Sequence, residues 1–144
     1  MSERTILLVE DDPNDDALTM RELRRQNVAN KIDVVRDGAE ALEYLFGTGA
    51  YEERDPSQYP TLMILDLKLP KVDGFEVLRQ VRADERTKLM PVVVLTSSDE
   101  ERDRLESYSL GANSYVRKPV AFDDFREAVR QLHLYWLLLN EPPQ

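Results

Sequence analysis

Three apolar runs, TILLVE (Thr5–Glu10), TLMILD (Thr61–Asp66) and PVVVLTS (Pro91–Ser97), constrain this chain more than any other feature. They are too short for helices and continuous rather than alternating, which is the pattern of strands covered on both faces. Two of them end on a carboxylate. A carboxylate leaving a buried strand costs free energy unless it is paired, metal-bound or at the surface rim. A further run, SYVRK (Ser114–Lys118), and a weaker one, KIDVVRDG, which ends in a turn signal at Asp37-Gly38, complete a set of five strands.

Helical stretches separate them. Asp12 or Asn14 can cap a first helix with Ala17, Met20 and Leu23 inward, and Asp37 a second with Ala41, Leu42 and Leu45 inward. Asp73 precedes a third, with Phe75, Leu78 and Val81 as its stripe. Ser98 precedes a polar fourth carrying Leu105 and Leu110 and closed by Gly111. The last begins near Ala121 and carries Phe122, Phe125, Val129, Leu132, Trp136 and Leu139 at steps of three and four. Strand and helix alternate throughout, which predicts an α/β fold with a mostly parallel sheet and, through right-handed crossovers, helices on both faces. The 144 residues suit a single domain, 1–144, with one irregular connection at 47–60 expected to be a solvated loop.

A formal charge of −9 argues against nucleic acid as the main partner. The absence of cysteine excludes disulfides, thiolate metal sites and thiol nucleophiles. Acidic residues come too early in MSERTILLVED for a signal peptide, and the apolar cluster Leu134–Leu139 is too short to cross a bilayer. A cytoplasmic protein without membrane attachment is expected.

In open parallel sheets ligands bind outside the carboxyl ends of the strands, where strand order reverses. Those ends deliver Glu10, Asp11 and Asp12, then Asp66, then Thr96 and Ser97, then Lys118. Each alone is a weak signal; together they suit phosphoryl chemistry. Clustered carboxylates repel unless a cation intervenes, and an all-oxygen ligand set favours Mg²⁺ over Zn²⁺. Asp11 and Asp66 would hold the ion, Lys118 would supply a point charge, and Thr96 a hydroxyl donor. An aspartate nucleophile gives an acyl phosphate.

The pieces LLVEDD, ILDLKLPKVDG, VVVLTSS and SYVRKP, in this order and at this separation, closely resemble the receiver domain of bacterial two-component response regulators. The resemblance implies a doubly wound sheet of order 2-1-3-4-5 and phosphorylation of Asp66 by a histidine kinase. It implies Mg²⁺ held by Glu10, Asp11, Asp66 and the backbone carbonyl of Lys68. It also makes Thr96 the switch hydroxyl, Tyr115 the switch aromatic, Lys118 the active-site lysine and Lys118-Pro119 a cis peptide bond. Glu10 replaces the commoner aspartate, and its longer stem is expected to reach the ion through water. A narrower resemblance, in YLFGTG with its long connection, DLKLPKVDGFEVL and YWLLLNEPP, is to the stand-alone response regulators paired with bacterial phytochromes. It implies a phytochrome kinase as partner and no output domain. The expected product is a phosphoacceptor rather than an enzyme with an independent substrate. It would signal through its own surface, directly or to a downstream phosphotransfer protein.

The last helix, from Ala121 to Leu139, would run roughly 28 Å and overhang strands of about 17 Å. Its second half is apolar nearly all round, so a C-terminal extension at 133–144 is expected to be buried, against another copy or a partner or by folding back over the chain's own core. Phe122, Tyr135, Trp136, Leu138 and Leu139 are the candidate homodimer residues, and His133 is read as packing. Arg21, Arg24 and Arg25 form a small basic area on the first helix. Two alternatives stay open: a receiver-fold interaction module that is never phosphorylated, and a Mg²⁺-dependent phosphatase. The phosphatase needs a second acid where Lys68 stands.

Overall fold

A computed structural model describes residues 5–25, 31–54, 59–69, 71–96 and 100–118. Five strands form one parallel sheet: β1 (Thr5–Val9), β2 (Lys31–Val35), β3 (Leu62–Leu65), β4 (Val92–Thr96) and β5 (Ser114–Arg117), in the order β2-β1-β3-β4-β5. This is the doubly wound architecture expected from the sequence. Between the strands run α1 (Pro13–Arg25), α2 (Gly38–Phe46), α3 (Gly74–Ala83) and α4 (Glu101–Ser109). The connection after α2 contains a short 3₁₀ turn, Gly49–Tyr51.

The continuous apolar runs are explained by two cores. Leu7, Val9, Met63, Leu65, Val92 and Val94 face one layer with Ala41 and Leu45 of α2 and Val77, Leu78 and Val81 of α3. Ile6, Leu8, Leu62, Ile64, Val93 and Leu95 face the opposite layer with Leu23 of α1. Successive residues of a strand point to opposite faces, so a strand buried on both sides must be apolar throughout.

Caps fix the helix starts. Asp37 accepts a hydrogen bond from Glu40 N at 2.7 Å and Asp73 from Glu76 N at 3.0 Å. Of the two candidates for α1, Asp12 is the cap: its Oδ1 accepts from Asn14 N at 2.8 Å.

Three inward faces differ from expectation. In α1, Met20 and Leu23 pack inward as expected, but Ala17 is exposed, and among the described side chains Asp16 and Thr19 are the other buried ones. Asp16, the neighbour of Ala17, turns inward instead and forms an ion pair with Arg36, a polar contact that the apolar pattern did not anticipate. In α3, Val77 is buried and Phe75 only partly so. In α4, Leu105 is 57% exposed and the buried residue is Ser107, whose hydroxyl donates to Asp103 O at 2.8 Å. The expected last helix, His133 and the segment 133–144 lie outside the described residues.

Candidate phosphoryl-acceptor site

The register of the sheet builds the site. Val9 is paired with Leu65, so the next residues, Glu10 and Asp66, emerge side by side at the point where strand order reverses. Asp66 N donates to Val9 O at 3.1 Å and Glu10 N to Val35 O at 3.0 Å, which fixes both main chains. Arg36 steadies the same turn, donating to Glu10 O at 3.3 Å while it pairs with Asp16. Beneath Asp66 the backbone is tightly packed. A Cβ on Gly74 would lie 2.3 Å from Asp66 O and 2.6 Å from Leu67 Cα, so only glycine lets α3 start this close to the strand end.

Lys118 comes from the far side of the sheet. Lys118 N donates to Thr96 O at 2.7 Å, extending the β4–β5 ladder by one residue. From there the side chain points over the end of β4 toward β3, where the Asp66 side chain meets it. Its ammonium donates to Asp66 Oδ2 at 2.9 Å and to Asp15 Oδ2 at 3.0 Å, and it forms a close ion pair with Glu10 Oε1. The remaining carboxylate oxygens have backbone donors: Asp12 N to Glu10 Oε2 at 3.2 Å and Lys68 N to Asp66 Oδ1 at 3.2 Å.

Both carboxylates are buried; Glu10 is 1% exposed. Burial raises the Glu10 carboxyl from 4.5 to about 7, helped by the neighbouring Asp66 charge and opposed by Lys118. Burial works against the charged form of Lys118, but its bonds to Glu10, Asp66 and Asp15 outweigh that and hold the ammonium above its ordinary value.

Asp11 is exposed and completes a group with Glu10 and Asp66 whose carboxylate oxygens lie within 4.8 Å of one another. Three carboxylates and no nitrogen or sulfur donor in that group suit a hard, oxygen-seeking cation. Thr96 is fully buried at the end of β4. Val92 and Val94 face the α2–α3 layer, so alternation puts the Thr96 side chain on that face, the one against which Tyr115 packs. Of the sequence-based candidates, the structure brings Glu10, Asp11, Asp66 and Lys118 together, while Thr96 ends β4, the strand next to β3. Lys68 is exposed and turns its N–H toward Asp66. Pro119, Phe122, Tyr135, Trp136, Leu138 and Leu139 lie outside the described residues.

Sequence reasoning missed Asp15 and Arg36. Each meets its partner only after the chain has folded, Asp15 and Lys118 being 103 positions apart.

The sequence profile of the response regulator receiver domain matches residues 6–130. The chain belongs to this family. Such a receiver takes a phosphoryl group on an aspartate beside an acidic cluster, and it turns over no independent substrate. The bacteriophytochrome response regulator AtBRR superposes with a TM-score of 0.86 at 50% identity, over 98% of this chain and 100% of that one. The Mn²⁺-bound form of response regulator Rcp1 superposes with a TM-score of 0.77 at 35% identity, over 98% and 99% of the two chains. The probable methanogenesis regulatory protein FilR2 of Methanothrix harundinacea (strain 6Ac) is 42% identical over 138 residues, 96% of this chain and 86% of that protein. Among the described residues of the receiver, no helix is long and apolar enough to cross a membrane.

Proposed function

We propose that this receiver accepts a phosphoryl group on Asp66 from the phosphohistidine of a sensor kinase and signals through its own surface. The observation that carries the reading is the Lys118 ammonium bridging Glu10 and Asp66 inside a three-carboxylate group at the strand-order reversal. Asp66 is the nucleophile. Its carboxylate oxygen forms a bond to phosphorus as the donor's phosphorus–nitrogen bond breaks, and the departing imidazole takes a proton from solvent. Lys118, released from Asp66 Oδ2, then offers its charge to a phosphoryl oxygen. Glu10, Asp11, Asp66 and the Lys68 carbonyl would hold Mg²⁺, which would add positive charge where the phosphoryl oxygens arrive. The Mn²⁺ form of Rcp1 supports a divalent ion.

Thr96 hydrogen-bonds another phosphoryl oxygen and moves toward it, and the Tyr115 ring turns into the space that opens on the same sheet face. The kinase is of phytochrome type, a reading supported by the likeness to AtBRR, all of whose chain is spanned. The same reading has the apolar residues near Trp136 joining two copies.

The test is intact-mass measurement after incubation with Mg²⁺ and a small acyl phosphate. A single phosphoryl adduct, removed by hydroxylamine and absent from Asp66→Asn, is expected. An adduct that survives in the variant would move the acceptor elsewhere, and no adduct in either chain would leave a contact-only module.

A further inference from the structure

The acceptor chemistry above assigns no role to Asp15, yet Asp15 makes one of the three carboxylate contacts to Lys118. It sits in the first turn of α1 with its side chain 38% exposed, whereas Lys118 is 12% exposed. Glu10 and Asp66 each belong both to the lysine's partners and to the group with Asp11 that would seat a divalent cation. Asp15 belongs only to the first set among the described residues. The two kinds of positive charge therefore compete for two carboxylates, while the third remains with the lysine.

That asymmetry has a consequence for binding. A dication entering the acidic corner draws Glu10 and Asp66 toward itself and repels the ammonium. A lysine 88% shielded from solvent cannot regain full hydration, so its displacement is costly unless another anion receives it. Asp15 Oδ2 is already 3.0 Å from Nζ. The lysine can swing toward it without leaving the rim of the site.

We propose that Asp15 is a positioning residue for Lys118: it receives the ammonium when a divalent cation occupies the acidic corner, which strengthens cation binding and keeps the lysine within reach of the phosphoryl group. The proposal rests on the metal-assisted phosphoacceptor reading.

Its test is a double-mutant cycle read by direct Mn²⁺ binding, using electron paramagnetic resonance of the free ion, on the full-length wild type, Asp15→Asn, Lys118→Met and the double variant. Asparagine keeps the shape of the side chain at a partly exposed helix start, and circular dichroism with a melt verifies that each variant is folded. In the wild-type background Asp15→Asn weakens Mn²⁺ binding about fivefold, equivalent to roughly 1 kcal/mol. With methionine at 118 there is no ammonium to receive, and the same substitution changes affinity less than twofold. An equal loss in both backgrounds would make Asp15 a field charge or a direct ligand and overturn the proposal. No loss in either background would overturn it too, while leaving Asp66 phosphorylation intact. A wild type that binds no Mn²⁺ and gives no phosphoryl adduct would remove the underlying reading together with this one.

Discussion

The helices α3 and α4 are consecutive and nearly equal in length, but they are held in opposite ways. α3 buries Gly74, Val77, Leu78 and Val81, and its cap Asp73 bonds to Glu76 N. α4 buries Ser107, receives no capping hydrogen bond from the Glu100 side chain, and leaves Leu105 and Tyr108 exposed. Apolar burial and capping fix α3, and with it the Asp66 strand end that Gly74 packs against. α4 follows the strand that ends in Thr96 and, among the described residues, has less apolar burial than α3, the condition under which a helix opens at lower cost. Arg82, near the end of α3, is where the two regions are stitched: it donates to Gly111 O at 2.9 Å and to Asn113 Oδ1 at 2.8 Å, on the turn after α4.

The difference is most exposed to failure at its largest effect. Leu78→Ala should destabilise the protein by about 2–5 kcal/mol, the range for a leucine removed from a packed core. Leu105→Ala should change stability by less than about 0.5 kcal/mol. Urea denaturation of both variants measures this. A comparable loss at Leu105 would mean that α4 is anchored by contacts its exposure does not reveal.

A middle-sized effect comes from Glu10, which ties the β5 side of the sheet to the β1–β3 side through Lys118. Its carboxyl is raised from 4.5 to about 7, chiefly by burial. Between those values the folded protein binds the proton more tightly than the unfolded chain does, so this contribution is present below pH 4.5 and is lost as pH rises to about 7. The contribution is on the order of 3 kcal/mol. Urea titrations in chelator across this window should show that decline for the wild type relative to Glu10→Gln. A difference between the two that is flat with pH would show that Lys118 keeps Glu10 ionised throughout.

What was legible in the sequence follows from the range of each interaction. The buried strands and the caps Asp37 and Asp73 are local patterns, and sequence reasoning placed them. The strand-end site was legible because parallel topology brings Glu10, Asp66, Thr96 and Lys118 to one edge once the strand order is known. The α1 face was misjudged at Ala17 because the group that turns inward, Asp16, is polar and meets Arg36 across the fold. Leu105 was misjudged because α4 is a polar helix whose one inward side chain, Ser107, bonds to its own backbone. Asp15 was missed for a third reason. Its partner comes from the other end of the described chain, and no spacing rule links the two.

The smallest effect is the sharpest test of how the two helices begin. Replacing Asp73 with alanine removes the acceptor for Glu76 N and should cost about 1 kcal/mol. Glu100→Ala removes no cap bond and should cost a few tenths. The Asp73 loss should also reach the acceptor loop, because Gly74 N, the first residue of α3, donates to Leu67 O at 2.9 Å, one residue beyond Asp66. Native-state hydrogen exchange can separate the two consequences. In Asp73→Ala the amides of Asp66, Lys68 and Gly74 should exchange faster together, since the cap and the loop share one network. In Glu100→Ala any change should stay within α4, whose Glu100 side chain makes no capping hydrogen bond. Faster exchange at Asp66 in the Glu100 variant would show that α4 is wired to the acceptor in the resting protein, and the division between a fixed and a movable helix would fall.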